Sequence, residues 1–215
     1  MDKDEIKDIL ISVLALSLAF TVARLDGLFG IARGTSLSLA DGALLFLVSL
    51  FTLGIGFVLH EMAHKYMAIR YGSWAAYRMW PMGLMLALGG SLLGVVFAAP
   101  GATYIYTPYM GRRENGIISL VGPLTNVALA FAFLLAAPLI LLALPPLVAG
   151  MLIMQGVYIN LWLALFNMIP FYPLDGSKVM AWSLPIWAVV AGGIFVLTFT
   201  DILQLLLQLY LQLFL

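Results

Sequence analysis

The chain has 215 residues, of which 64% are hydrophobic and 9% charged, and its formal net charge is zero. A soluble domain of this length needs a more polar surface, and a neutral chain offers no electrostatic basis for binding nucleic acid. The absence of cysteine excludes disulfides, thiolate metal ligands and a cysteine nucleophile. The long uncharged runs instead predict an all-α polytopic membrane protein with five or six transmembrane helices that lies in the lipid bilayer.

Five apolar segments are candidate spans. They are residues 9–23, 43–70, 116–144, 147–169 and 184–199. The mixed-charge N-terminus lacks the basic start and small-residue cleavage site of a signal peptide, so the first segment is expected to be a retained helix. The first and last segments are short for a hydrocarbon core of about 30 Å, which leaves their ends open.

The last residues form a separate pattern. Gln204, Gln208 and Gln212 are four residues apart, which places them on one narrow polar stripe of a helix. Such a helix packs on the bundle or lies at the membrane interface. With no repeat or linker along the chain, we predict one domain over residues 1–215, with a core at 43–180 and C-terminal helices at 184–215.

The segment Met82–Pro100 is apolar enough to span the membrane but is rich in glycine. Dense glycine weakens a helix and favours a turn between extended stretches. Irregular backbone at membrane depth is tolerated only where protein or a wet cavity surrounds it. The segment is therefore either a helix or a re-entrant glycine-rich hairpin between the second and third transmembrane helices.

The sequence His-Glu-Met-Ala-His at residues 60–64 contains the only two histidines of the chain. On a helix, His60 and His64 lie one turn apart on one face, so both imidazoles can bind one metal ion while Glu61 acts as a general base. The alternative is a pair of ordinary helix-end histidines next to a Lys65 that reaches the membrane surface. Ionisable groups inside a span are costly, which favours the metal site.

A catalytic zinc site needs three protein ligands and an open position, and only a carboxylate remains to provide the third ligand here. The acidic residues of the N-terminus are expected to be solvated. Asp26 and Asp41 lie in the loop at the far end of the second helix. The candidates are therefore Glu114, which follows two arginines, Asp201, and Asp175, which lies in a proline-rich loop at the mouth of an uncharged span.

Three segments together resemble the site-2 protease family of intramembrane zinc metalloproteases. They are the histidine motif, Gly-Pro-Leu-Thr-Asn at residues 122–126, and Asn-Met-Ile-Pro-Phe-Tyr-Pro-Leu-Asp-Gly at residues 167–176. The resemblance covers residues 44–179 and implies one zinc ion per chain, bound by His60, His64 and Asp175, with Glu61 as the base. Members often have PDZ or CBS domains, for which this chain has no room, so a minimal catalytic core is expected.

Such a zinc site requires Asp175 and His64 to lie on the same side of the membrane, which is met only if Met82–Pro100 turns back. The positive charges favour the same topology. In it, only Arg24 and Arg33 lie on one side, and the other side has Lys3, Lys7, Lys65, Arg70, Arg78, Arg112, Arg113 and Lys178. The positive-inside rule makes the more basic side cytoplasmic.

The depth of the site follows from the second helix. His60 lies 17 residues beyond Ala43, or roughly 26 Å along a helix. Zinc is therefore expected near the cytoplasmic surface of a multi-pass protein of the cell membrane, with the site open to that side. An aromatic belt is expected at the same interface, formed by Tyr66, Tyr71, Trp74, Tyr77 and Trp80.

Four further residues are candidates for binding substrate or the oxyanion. Asn167 is a candidate oxyanion donor or backbone clamp, or alternatively the cap of a broken helix. Asn126 either contacts the substrate or forms a hydrogen bond between helices. Gly89 and Gly90 are expected on an exposed strand edge that pairs with an unwound substrate, unless the segment is a bent helix that fills a packing gap.

The predicted function is zinc-dependent hydrolysis of a peptide bond in a transmembrane protein substrate, near the cytoplasmic side. The alternative is a non-hydrolytic metal-binding membrane protein or divalent-ion transporter, which would not need Glu61 and would usually have ionisable ligands on several spans. A zinc protease that cleaves at the membrane surface would need a glutamate ligand on a later helix, and no candidate is present. The sequence does not define an oligomeric state.

Overall fold

The computed structural model describes residues 1–25, 38–96, 100–107 and 110–214, so Asp26 and Arg33 lie outside the described residues. The helices are α1 (Lys3–Arg24), α2 (Leu39–Arg70), α3 (Pro81–Ser91), α4 (Arg112–Leu135), α5 (Ala137–Ala143), α6 (Pro146–Asn167), α7 (Asp175–Trp182), α8 (Leu184–Phe199) and α9 (Ile202–Phe214). The strands are β1 (Trp74–Met79) and β2 (Gly101–Tyr106).

Among the described residues, four helices are long and apolar enough to cross a membrane, namely α1, α2, α4 and α6. Helices α8 and α9 form a fifth span if the pair, which is bent by 65°, is taken as one. The prediction of an all-α polytopic membrane protein is confirmed. The predicted third span differs, because α4 ends at Leu135 and α5 starts after Ala136. Pro138 has no N–H to continue the helix, so the chain breaks and restarts there.

Between α2 and α4 the chain enters the bundle and turns back. Strands β1 and β2 are antiparallel, from Trp74 opposite Tyr106 to Met79 opposite Gly101. The N–H of Trp80 donates to the carbonyl of Pro100 at 2.8 Å, so the two ends of the segment lie side by side. The predicted return is therefore present.

The conformation of this segment differs from a glycine-rich hairpin. Its first part is α3, an 11-residue helix with Pro81 in its first turn. A helix satisfies its backbone hydrogen bonds internally, which is the cheaper solution at membrane depth. Glycine is needed at the turn below α3, where Gly94 has a φ of 78°.

The N-terminal half of α1 is fastened to α2 and β1 by buried polar contacts. The carboxylate of Glu5, which is 1% exposed, accepts hydrogen bonds from Nζ of Lys65 at 2.5 and 2.6 Å and from the N–H of Tyr77 at 3.1 Å. Oδ2 of Asp8 accepts from the N–H of Met79 at 3.3 Å. The prediction of a solvated acidic terminus is wrong for Glu5, because its buried carboxylate is paired with the ammonium of the partly buried Lys65.

One member of the predicted aromatic belt lies elsewhere. Tyr77 is fully buried, and its hydroxyl forms a hydrogen bond with Oγ of Ser12 at 2.8 Å. Its side chain is on the face of β1 that packs on α1, so it belongs to the core. The other four aromatic residues of the belt are exposed, namely Tyr66, Tyr71, Trp74 and Trp80.

Candidate metal centre

Three metal-binding side chains converge between α2 and the start of α7. Nε2 of His60 and Nε2 of His64 are 3.0 Å apart, and they lie 3.3 and 3.0 Å from Oδ2 of Asp175. All three residues are buried, and among the described residues they form the group able to hold a metal ion. Asp175 thus lies at the same depth as His64, as the zinc hypothesis requires.

The orientation of the His60 ring is fixed by a buried amide on α4. Nδ2 of Asn126 donates to the carbonyl of Gly56 at 3.0 Å and to Oδ1 of Asn160 at 2.9 Å. This turns Oδ1 of Asn126 towards Nδ1 of His60, at 2.6 Å. Because an amide oxygen only accepts, Nδ1 of His60 has the proton and the lone pair of Nε2 points into the site.

His64 is oriented in the same way by backbone. Its Nδ1 lies 2.7 Å from the carbonyl oxygen of Ile118, which only accepts, so the lone pair of Nε2 again faces the site. Two imidazole lone pairs and a carboxylate oxygen of Asp175 therefore point at one position. Three electron-rich atoms at this separation repel one another unless a cation lies among them. Two nitrogens and one carboxylate oxygen match the ligand set of a catalytic zinc site.

Gly122 leaves the space in which an ion fits. It is on the face of α4 that packs against α2. A Cβ at this position would lie 2.7 Å from Nε2 of His60 and closer still to Nε2 of His64. The missing side chain thus opens the site on the side of α4.

The metal centre opens into a cavity of about 420 Å³ between the helices. Its walls come from α1, α2, β2, α4, α6 and α7 and are mostly apolar. Glu61 lies on this wall beside the histidines. Its Oε2 accepts a hydrogen bond from Oγ1 of Thr103 on β2 at 2.8 Å. A carboxylate held next to the metal ligands and facing an open cavity has the placement of a general base.

Of the other predicted site residues, Asn167 lines the cavity, whereas Asn126, Gly89 and Gly90 do not. Asn167 lines the cavity and donates to the carbonyl of Leu163 at 3.0 Å, within its own helix. Asn126 is fully buried behind His60, so its contacts are between helices. The strand edge expected at Gly89 and Gly90 is not there, because both lie at the end of α3 and outside the cavity lining. Strand β2, by contrast, lines the cavity with Gly101, Ala102, Thr103 and Ile105.

The two other candidate carboxylates lie away from the metal centre. Glu114 is in the first turn of α4, with its carboxylate close to Gly111. Asp201 is exposed, at the break between α8 and α9.

Sequence reasoning missed Thr103 and Gly122. Gly122 had a signal, because it is four residues before Asn126 in Gly-Pro-Leu-Thr-Asn and hence on the same helical face. Thr103 had none, because only the fold brings β2 to Glu61.

Replacing Asn126 with leucine is expected to lower zinc affinity about 10–100-fold, because the ring of His60 loses the acceptor that orients it. The affinity would be measured by competition with a chromophoric chelator, with helix content followed by circular dichroism. Asn126→Asp keeps an oxygen acceptor and is expected to lose less. Wild-type affinity in a folded Asn126→Leu variant would contradict this role.

Two curated relatives match the chain. It is 43% identical over 187 residues to "Putative zinc metalloprotease MJ0611" of Methanocaldococcus jannaschii. This match covers 86% of this chain and 88% of that protein. It is 29% identical over 154 residues to "Putative zinc metalloprotease YwhC" of Bacillus subtilis. This match covers 62% of this chain and 68% of that protein. No protein-family profile and no solved structure matches the chain. The extent and identity of the first match show that the chain belongs to the same family of zinc metalloproteases as the Methanocaldococcus jannaschii protein.

Proposed function

We propose that the protein is an intramembrane endopeptidase of the site-2 protease type, which hydrolyses a peptide bond in the transmembrane segment of a protein substrate. The observation that supports this most directly is the position of the site. The converging atoms of His60, His64 and Asp175 and the carboxylate of Glu61 share one apolar cavity between helices long enough to span a membrane. A protease that acts on soluble chains has no need of such walls.

Each residue of the site has a separate task. His60, His64 and Asp175 hold a zinc ion, which when bound supplies the Lewis acidity that makes water a nucleophile at neutral pH. Glu61 removes a proton from the attacking water and delivers it to the leaving amine. Thr103 keeps the carboxylate of Glu61 in place through its hydroxyl. Asn167 has a second amide N–H that can donate to the oxyanion.

Strand β2 is the proposed docking edge for the unwound substrate. In the described part of the chain it pairs with β1 alone. The N–H groups of Tyr77 and Met79 on β1 point away from β2, to the carboxylates of α1. Their partners in the register, Thr103 and Gly101, therefore direct their backbone groups to the opposite edge of β2. Both residues line the cavity, so a peptide bound there would pass the metal centre.

The orientation in the cell membrane is proposed from charge. The contact between Glu5 and Lys65 fixes the start of α1 beside the end of α2. One side of the membrane then has the basic residues at the start of α1 and the end of α2. It also has those at the starts of α4 and α7. By the positive-inside rule this side is cytoplasmic, and the metal centre opens towards it.

The proposal is tested with purified protein and a single-span substrate in lipid nanodiscs. We expect cleavage inside the apolar segment of the substrate, located by mass spectrometry of the new termini. Removal of zinc with 1,10-phenanthroline is expected to stop cleavage, and about one equivalent of zinc per chain to restore it. Cleavage confined to exposed flanks would contradict an intramembrane reaction. Zinc-dependent ion uptake into vesicles without cleavage would support a transporter instead.

A further inference from the structure

A second asparagine lines the cavity beside the metal centre. Asn115 lies in the first turn of α4, three residues before Ile118 and seven before Gly122. Ile118 holds His64, and Gly122 faces the Nε2 atoms of both histidines. Residues spaced by three and seven share one face of a helix, so Asn115 is directed to the same side. It is among the residues that line the cavity.

The start of α4 is pressed against α7, the helix that begins with Asp175. A Cβ on Gly116 would lie 2.5–2.7 Å from side-chain atoms of Trp182, so the two helices meet without space between them. Asn115 lines the same cavity as Asp175 and Lys178 of α7.

The side-chain amide of Asn115 is half-buried, and the described residues provide no hydrogen-bond partner for it. An amide has two donor hydrogens and an acceptor oxygen, and a ligand that excludes water from the cavity leaves them unpaired unless it pairs with them itself. By contrast, both the amide oxygen and the amide nitrogen of Asn126 and of Asn160 have partners within the protein. The free amide of Asn115 therefore suits the polar groups of a ligand in the cavity.

An extended peptide is the ligand whose chemistry fits. A strand that pairs with the free edge of β2 satisfies the backbone groups on one of its own edges only. Its other edge would face the cavity wall, to which α4 and α6 contribute, and would still need both donors and acceptors. Asn115 on α4 and Asn167 on α6 are amides on this wall, and an amide can accept from an N–H and donate to a carbonyl.

We propose that Asn115 binds the backbone of the substrate on the edge opposite β2, as a substrate-binding residue that acts together with Asn167. This inference rests on the proposed function. It adds a second wall to the substrate groove, so that an unwound segment is held between β2 and two asparagines while it passes the metal centre.

The test separates binding from chemistry. In a Glu61→Gln background, Asn115→Leu is expected to raise the Kd for a fluorescently labelled single-span substrate about tenfold. With Glu61 intact, it is expected to raise KM by a similar factor at unchanged kcat and zinc content. Asn115→Gln, which keeps the amide, should recover part of the affinity. Gln208→Leu, a polar-to-apolar change on α9 outside this cavity, is the matched control and should change neither constant.

Unchanged Kd and KM in Asn115→Leu would overturn the inference, as would loss of zinc or a fall in kcat alone, since these would indicate a structural role. The two proposals fail in different ways. If the wild type cleaves no single-span substrate, the proposed function fails and this inference with it. If the wild type cleaves and Asn115→Leu matches it, only the role of Asn115 is lost.

Discussion

Replacement of Gly122 with alanine is expected to leave the protein folded but to weaken zinc binding at least about tenfold, with loss of activity in proportion. The methyl group would lie 2.7 Å from Nε2 of His60 and closer to Nε2 of His64. A zinc ion bonded to both nitrogens at about 2.0–2.1 Å needs the same space. The rings cannot move aside easily, because Asn126 and Ile118 hold their other nitrogens.

The measurement is the zinc content per chain by mass spectrometry, together with chelator competition. Alanine is about 1 kcal/mol better than glycine inside a helix, so α4 itself should not be destabilised. Gly150→Ala on α6 is the matched control, since a Cβ at that position meets nothing within 4 Å. Full zinc occupancy at wild-type affinity in Gly122→Ala would show that the space is not needed for the ion.

Replacement of Glu61 with glutamine is expected to keep zinc and to reduce cleavage about 10²–10⁴-fold. Glutamine has the same shape, and its amide oxygen can still accept the hydrogen bond from Thr103. It cannot take a proton from water. The loss should therefore appear in kcat, while the zinc content and the Kd for substrate remain those of the wild type.

Glu114→Gln makes the same chemical change at a carboxylate outside the cavity and serves as its control. It should cleave like the wild type. Equal cleavage by Glu61→Gln and the wild type would remove the general-base role. It would also reopen the alternative of a metal-binding membrane protein in which no carboxylate base is required.

The parts of the site that could be predicted are those set by local spacing. His60 and His64 share a helical face whatever surrounds the helix. The position of Asp175 beside His64 follows from counting spans, once Met82–Pro100 is taken to turn back. Residues whose partners are distant in sequence could not be found in this way. Thr103 reaches Glu61 only because β2 pairs with β1, and Glu5 is buried only because Lys65 lies beside it.

The glycines show what could and what could not be predicted from the sequence. The high glycine content of Met82–Pro100 left both a helix and a re-entrant hairpin open, and the zinc site and the charges favoured the return. It did not reveal that the first part is helical, because the short helix α3 is stabilised by packing on α1 rather than by propensity. At Gly122 the important property is the absent side chain, which only the distances to the histidines reveal.

The carboxylates of α1 have a consequence for self-association. A two-stranded sheet has two open edges, and each is a template for any extended chain nearby. Glu5 and Asp8 occupy the N–H groups of Tyr77 and Met79, so the outer side of β1 is closed. The other edge of the sheet, on β2, lines the cavity inside the protein. Helix α1 thus prevents the outer edge of β1 from pairing with a strand of a neighbouring molecule in a crowded membrane.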